Sequence, residues 1–145
     1  RPHTGLLEAH RELELVDHIA AATSRHDKLQ VLADEAPKVL RVGWCTVVRS
    51  DGSEAGVERV IGSSGAPETQ AASAPWLPLQ HAEALDATAD WVPQIWRDID
   101  MALAAAPLGD PHTAVLLGRA GGPDFRPSEV ARLGYLAGIV ATILR

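Results

Sequence analysis

Hydrophobic residues along this chain keep two rhythms, steps of three and four at its ends and steps of two in its middle. From Leu6 the apolar residues recur at Ala9, Leu13, Val16 and Ala20, the alternating steps of a short coiled-coil seam. Glu8, His10, Arg11, Glu12, Glu14, Asp17 and His18 occupy the positions between, so the spacing predicts a helix with one apolar stripe and a wet remainder. Ser24 followed by Asp27, or Asp27 followed by Gln30, offers a capping start for a second helix. Its stripe is Leu29, Leu32, Ala33, Ala36, Val39 and Leu40, with a kink expected at Pro37. At the other end Val130, Leu133, Ala137, Val140 and Leu144 repeat the three-and-four spacing. Leu136, Ile139 and Ile143 add a second apolar face, so that one face can meet a sheet and the other a helix.

The middle of the chain reads as strands. Trp44 to Arg49 is β-rich and stops at Ser50-Asp51-Gly52, a turn signal, after which Val57, Arg59 and Ile61 alternate with Glu58 and Val60. Leu103 to Leu108, a Gly109-Asp110-Pro111 turn and Thr113 to Leu117 predict a second antiparallel pair. Residues 62 to 74 (GSSGAPETQAASA) are small and polar, a mobile loop by composition. Residues 75 to 100 hold Trp76, Trp91 and Trp96 around a short helical pattern from His81 to Ala89. The order α-α-β-β-irregular-β-β-α predicts an α+β domain, an antiparallel sheet with helices gathered on one face.

Length and composition narrow this further. The 145 residues suit one ordinary domain. A hydrophobic fraction of 46% with 22% charged residues is that of a water-soluble globular chain, and no apolar run approaches the ~20 residues of a membrane span. A net charge of −6, with lysine only at Lys28 and Lys38, argues against a nucleic-acid surface. Cys45 is the sole cysteine, which rules out an internal disulfide and a multi-thiolate zinc site and fits a reducing, cytoplasmic compartment. The chain opens on Arg1 with no positive-then-apolar leader, the expectation being a piece of a longer protein. Frequent Arg and Ala with rare Lys is a bias that accompanies high-GC bacterial genomes.

Several motifs invite chemistry and fail on specific residues. In residues 116 to 133, LLGRAGGPDFRPSEVARL, a strand runs through glycines into a helix. A dinucleotide fingerprint would need glycine where Ala120 stands, and no acid follows Glu129 to hold a ribose. A phosphate loop would need a lysine at the helix entrance, and none follows Lys38. The stretch reads as a flexible connection into a helix started by Pro127. His10, Glu14 and His18 have the i, i+4, i+8 spacing of a one-face metal site, against which stands a solvated helix face. Residues 62 to 66, GSSGA, lack the last glycine of a nucleophile elbow. Cys45 lies in a β-rich run, where a lone cysteine is usually a small buried hydrophobe.

The strongest resemblance lies in residues 114 to 144, AVLLGRAGGPDFRPSEVARLGYLAGIVATIL, supported by Trp76 to Leu79 through Asp90 to Pro93 and by Trp44 to Asp51. In order and spacing these resemble the GAF domain, a sensory fold found beside bacterial kinases, phosphatases and transcription regulators; the middle piece is similar to GAF domains of actinobacterial serine phosphatases and histidine kinases. The likeness covers about residues 24 to 145, with residues 1 to 23 a separate signalling and dimerisation helix. It implies a GAF-like antiparallel sheet, N- and C-terminal helices on one face and an irregular helix and loop segment over the other. Arg126 stands where the family often has a Thr or Ser cap, which puts the start of the last helix on Asp124.

Within the family this chain departs from three functions. One cysteine cannot form the disulfide of GAF-fold methionine sulfoxide reductases. Cys45 is followed by Thr46, not by the His that follows a pigment-bearing cysteine, and comes too early. The asparagine-rich cyclic-nucleotide signature is absent because the sequence has no asparagine. What the resemblance leaves is a non-catalytic sensor without cofactor or metal. Its small ligand, of unknown identity, would be held by Trp76, Leu79, His81, Leu85, Trp91, Trp96 and Met101. A homodimer through Leu6, Leu13, Val16, Leu133, Val140 and Leu144 and an output domain in the same full-length chain complete the expectation. The alternative is a purely structural dimerisation domain whose tryptophans are core packing.

Overall fold

The computed structural model describes the backbone of residues 2–145 and the side chains of residues 10–145. Nine elements follow in chain order: α1 (Pro2–Ala21), α2 (Arg25–Leu40), β1 (Trp44–Ser50), β2 (Val57–Gly62), β3 (Glu83–Leu85), α3 (Gln94–Asp98), β4 (Ala102–Leu108), β5 (Asp110–Arg119) and α4 (Pro127–Leu144). The five strands form one antiparallel sheet in the order β2-β1-β5-β4-β3. The two expected hairpins are its two halves, joined where β1 lies against β5. The α+β class read from the sequence is the observed one.

Strand alternation divides the interior into two layers. Cys45 and Val47 of β1, Ala104, Ala106 and Leu108 of β4, and Val115 and Leu117 of β5 face α1, α2 and α4. Trp44, Val48, Leu103, Ala105, Ala114 and Leu116 face the opposite way, toward Leu79, Val92, Trp96 and Met101 of the irregular segment. Helices cover one face and residues 63–101 cover much of the other. Alanines dominate β4, which lets α4 approach the sheet closely.

Ser24 caps α2, its Oγ accepting from the Asp27 N–H at 3.0 Å. Pro37 sits inside α2, and Arg41 ends the helix in the left-handed region, its neighbour Val42 donating back to the Pro37 carbonyl. At the start of α4 the cap is Glu129, whose carboxylate accepts from the Arg126 N–H at 2.9 Å. The helix start therefore rests on Glu129 and not on Asp124, because a residue one turn inside the helix can reach back to the exposed amide. Arg119 at the end of β5 holds the same carboxylate at 2.8 Å and lies over the Phe125 ring at 4.4 Å. The glycine-rich connection is thus clamped as a turn, with Gly121 and Gly122 at positive φ.

Two expectations change. The helix foreseen from His81 to Ala89 is instead the short strand β3 followed by a turn, with Asp86 accepting from the Thr88 N–H and hydroxyl. Pairing of Glu83, Ala84 and Leu85 with Ala105, Ala104 and Leu103 completes the β4 edge, a tertiary gain that local alanine spacing does not register. The second change concerns the end helices. Leu133 and Val140 are buried in the chain's own helix-side core, and Val16 and Leu144 pack against it. Among the described residues, Leu15 and Ile19, outside the expected seam, are the α1 residues buried in that core. The apolar stripe of α4 is therefore consumed within one chain, against the sheet and the neighbouring helices, and Leu133 and Val140 are not presented to a second copy. Leu13 stays 68% exposed, while Leu6 lies outside the residues whose side chains are described. On α4 the open apolar side chains are Tyr135 and Ile139.

Candidate functional site

The sheet face opposite the helices carries a cavity between β1, β2 and β5 and the covering loop. Trp44, Thr46 and Val48 rise from β1, Val57, Glu58 and Arg59 from β2, and Leu116 from β5. Gln70, Ala71, Ala74, Trp76, Trp91 and Trp96 close it from the cover. The space these residues enclose, mouth included, is about 370 Å³, but only about 20 Å³ of it admits the centre of a water molecule, room for about one water. The walls stand close together. The outer wall is a loop fixed to the sheet region by the Ala74 N–H to Ala55 carbonyl bond at 2.8 Å and the Gly56–Ser73 bridge.

Each wall has a local cause. Trp44 lies opposite Gly118 across the β1–β5 pair, and its indole rests against that glycine so closely that a Cβ there would fall 2.1 Å from the ring. A glycine inside a strand here admits an aromatic plane. Trp44 Nε1 donates to Met101 Sδ at 3.4 Å, and its ring meets Trp96 at a centroid distance of 5.3 Å. Trp76 and Trp91 make a second tilted pair at 5.8 Å. A β-bulge between Val47 and Val48 changes the β1–β2 register, so that Val48 stands opposite Arg59 where unbroken pairing would have placed Val60. The extra residue turns Arg59 onto the cavity face. There its guanidinium donates to the Pro67 carbonyl at 2.8 Å, and burial pulls its pKa below the usual arginine value.

Polar satisfaction separates this cavity from the rest of the interior. Among the described residues the buried side-chain polar atoms without a hydrogen-bond partner are Thr46 Oγ1, Trp76 Nε1 and Trp96 Nε1. All three belong to residues that line the cavity. Thr46 is also the one buried polar residue of the sheet. A lone buried donor or acceptor costs about 1–3 kcal/mol, so three at one place are a concentrated expense that the helix-side layer does not share.

The sequence-predicted pocket residues divide. Trp76, Trp91 and Trp96 line the cavity; Leu79 and Met101 are buried in the same layer without lining it; Leu85 is half-buried beside them on β3. His81 is exposed and borders a different, open groove of about 780 Å³ beside α4, with Phe125, Gly134, Tyr135 and Gly138. It does not reach the tryptophans, because β3 draws residues 81–85 to the β4 edge. Trp44, Thr46, Arg59 and Gln70 are cavity residues that the sequence reading missed; the one available signal was a threonine and an arginine among apolar strand positions. The α1 histidines also separate: His10 Nε2 pairs with Glu14 at 2.7 Å, and His18 Nδ1 turns to Glu35 of α2 at 2.7 Å, which raises its pKa. Among the described residues no group of three or more His, Cys, Asp or Glu side chains is placed to hold a metal ion. Cys45 is fully buried, and that burial pushes its thiol up to about 12, far from the thiolate that a nucleophile requires.

No protein-family model matches the sequence, and no curated protein does either. Solved structures do match in shape. A GAF domain from Pseudomonas syringae pv. tomato, described as that of a sensor histidine kinase, superposes with a TM-score of 0.70 at 12% identity, over 99% of this chain and 88% of that one. The GAF domain of the Acinetobacter phosphoenolpyruvate-protein phosphotransferase gives 0.64 at 13% identity, over 94% of each chain. A GAF domain/HD domain protein from Geobacter sulfurreducens gives 0.59 at 18% identity, over 89% of this chain and 95% of that one. With its sheet order, its helical layer and its covered second face, this chain has the GAF-domain fold.

Proposed function

We propose that this chain is a sensory or regulatory domain that binds a small molecule in the cavity between β1, β2 and the tryptophan-bearing cover. The observation that supports this reading is that all three orphaned buried polar atoms belong to residues lining that one cavity. Buried polar groups are as a rule partnered, and a site built to receive a ligand is where donors are kept free. Similar folds in a sensor histidine kinase and a chemotaxis protein agree with a regulatory role and with an output domain in the same full-length protein. The reading is non-catalytic: Cys45 is a buried thiol, and the cavity residues supply no nucleophile and base in contact.

Ligand entry would part the loop wall from the sheet and alter Trp96 and β1, and β1 packs against α2 through its other face. Coupling to an output is limited by the ligand's differential affinity for two states, typically about 1–3 kcal/mol. Thermal-shift screening of a small-molecule library, followed by native mass spectrometry, tests the binding step. Stabilisation by at least one compound, lost in Trp96→Ala, is the expected result, and a library without any stabilising compound would count against the reading.

One observation favours a structural alternative. The space open to water is about 20 Å³, so a single trapped water could partner the orphaned atoms and leave a filled domain whose role is association. Among the described residues of α1 and α4, self-association would then draw on the exposed Leu13, Tyr135 and Ile139, since Leu133 and Val140 are core. Sedimentation of wild type and Leu13→Glu distinguishes this: a dimer lost on substitution supports the surface, and an unchanged dimer refutes it.

A further inference from the structure

We propose that the cavity recognises a small planar aromatic monocarboxylate of about single-ring size, an inference that rests on the reading of the cavity as a ligand site. The first argument is the direction of the missing hydrogen bonds. Trp76 Nε1 and Trp96 Nε1 can only donate, and the Thr46 hydroxyl can donate as well. One kind of partner would satisfy all three groups, an acceptor, and the acceptor with most capacity per atom is a carboxylate.

Charge points the same way. Arg59 reaches the cavity, where its side chain donates to the Pro67 backbone carbonyl; Glu58 beside it is engaged by Arg49. Among the described residues Arg59 has no carboxylate within ion-pair distance. A half-buried guanidinium without a counter-charge is a ready anion partner, and its planar fork suits a carboxylate. Shape supplies the rest. Four indoles, Trp44, Trp76, Trp91 and Trp96, border a space with room for about one water. A ring therefore enters only as the loop wall of residues 70–76 moves away from the sheet, and a flat ring that stacks on the indoles needs less of that opening than a bulky aliphatic acid.

The test is a titration of the 145-residue chain with benzoate, benzyl alcohol and acetate, followed by intrinsic tryptophan fluorescence and isothermal calorimetry, in wild type, Arg59→Gln and Trp96→Phe. Benzoate should bind at least about tenfold more tightly than benzyl alcohol, the margin of a charge-assisted over a neutral hydrogen bond, and acetate more weakly than either. Arg59→Gln should abolish the preference for benzoate while leaving benzyl alcohol binding within about twofold. Trp96→Phe keeps the packing surface and removes one donor, so it should weaken benzoate even if Arg59→Gln folds poorly. Equal binding of benzoate and benzyl alcohol would overturn the carboxylate and leave a ring-binding site. Benzoate failing to bind while other compounds stabilise the chain would overturn the ligand class alone. A chain that binds nothing in either experiment would remove the ligand site itself.

Discussion

Replacing Gly118 by alanine is expected to unseat Trp44 and loosen the whole tryptophan layer. A Cβ at position 118 would lie 2.1 Å from Trp44 Cε2 and 2.3 Å from Nε1, against a normal carbon–carbon contact of about 3.5 Å or more. The ring would have to retreat by roughly 1.4 Å. It has nowhere easy to go, being 4% exposed, packed on Trp96 and bonded to Met101 Sδ. Overpacking a filled core costs about 1–3 kcal/mol, and the rigidity of an indole puts this case at the upper end, about 2–3 kcal/mol. In a domain of this size that corresponds to a fall in Tm of roughly 6–10 °C. Urea denaturation of wild type, Gly118→Ala, Trp44→Leu and the double variant forms a cycle that isolates the contact. The alanine should cost less than about 1 kcal/mol once Trp44 is leucine. A Gly118→Ala chain within about 0.5 kcal/mol of wild type, or an equal cost in both backgrounds, would refute the packing argument.

Val140→Glu, which places a carboxylate at a position with no exposure, should unfold the domain or cost more than about 3 kcal/mol, read by circular dichroism melts, whereas Leu13→Glu should change stability by less than about 0.5 kcal/mol. Thr46→Val replaces an unpartnered buried hydroxyl by a methyl of the same shape and should leave the ligand-free chain as stable or up to about 1 kcal/mol more stable, a destabilised variant contradicting the orphaned state. Arg119 holds Glu129 well below the usual carboxylate range, at about 2. A depressed folded pKa stabilises the fold above the unfolded value of about 4.5 and loses that contribution as pH falls toward 2. Glu129→Gln should therefore flatten the acid limb of a stability–pH curve between those values, and an unchanged limb would deny the pair its role. Cys45, with its thiol at about 12 behind full burial, should react with a thiol reagent at neutral pH only at the rate of unfolding, and rapid labelling of the native chain would contradict its placement.

Much of the fold was legible because strand alternation and helix stripes are local records of burial. The hairpins β1–β2 and β4–β5, the capped α2 and the last helix all follow from residues close in sequence. What those records omit is the identity of the partner. The stripe at Leu133 and Val140 announces an apolar face, and the same spacing serves a second copy or the chain's own sheet; only the sheet order decides. Residues 81–89 are rich in alanine, which fits either period, and the unpaired β4 edge chose the strand. The candidate site was half legible. Trp76, Trp91 and Trp96 stood out as bulky residues in a segment without a pattern of its own, but Arg59 read only as one member of the Val57, Arg59 and Ile61 alternation, since a bulge in the β1–β2 pair carries no strong mark in sequence. His81 was drawn into the expectation by proximity in sequence to Trp76 and Leu79, and β3 carries it to another surface.

The central claim, that free donors in the tryptophan cavity await a ligand's acceptor, is open to one direct measurement. The four tryptophans give four indole N–H signals in a proton–nitrogen correlation spectrum, each assignable by substitution to phenylalanine. Addition of benzoate should shift the Trp76 and Trp96 signals in a saturable manner and leave Trp44, already bonded to Met101, the less affected. Trp76 and Trp96 signals unmoved at saturating benzoate, or a response confined to Trp91, would contradict the account.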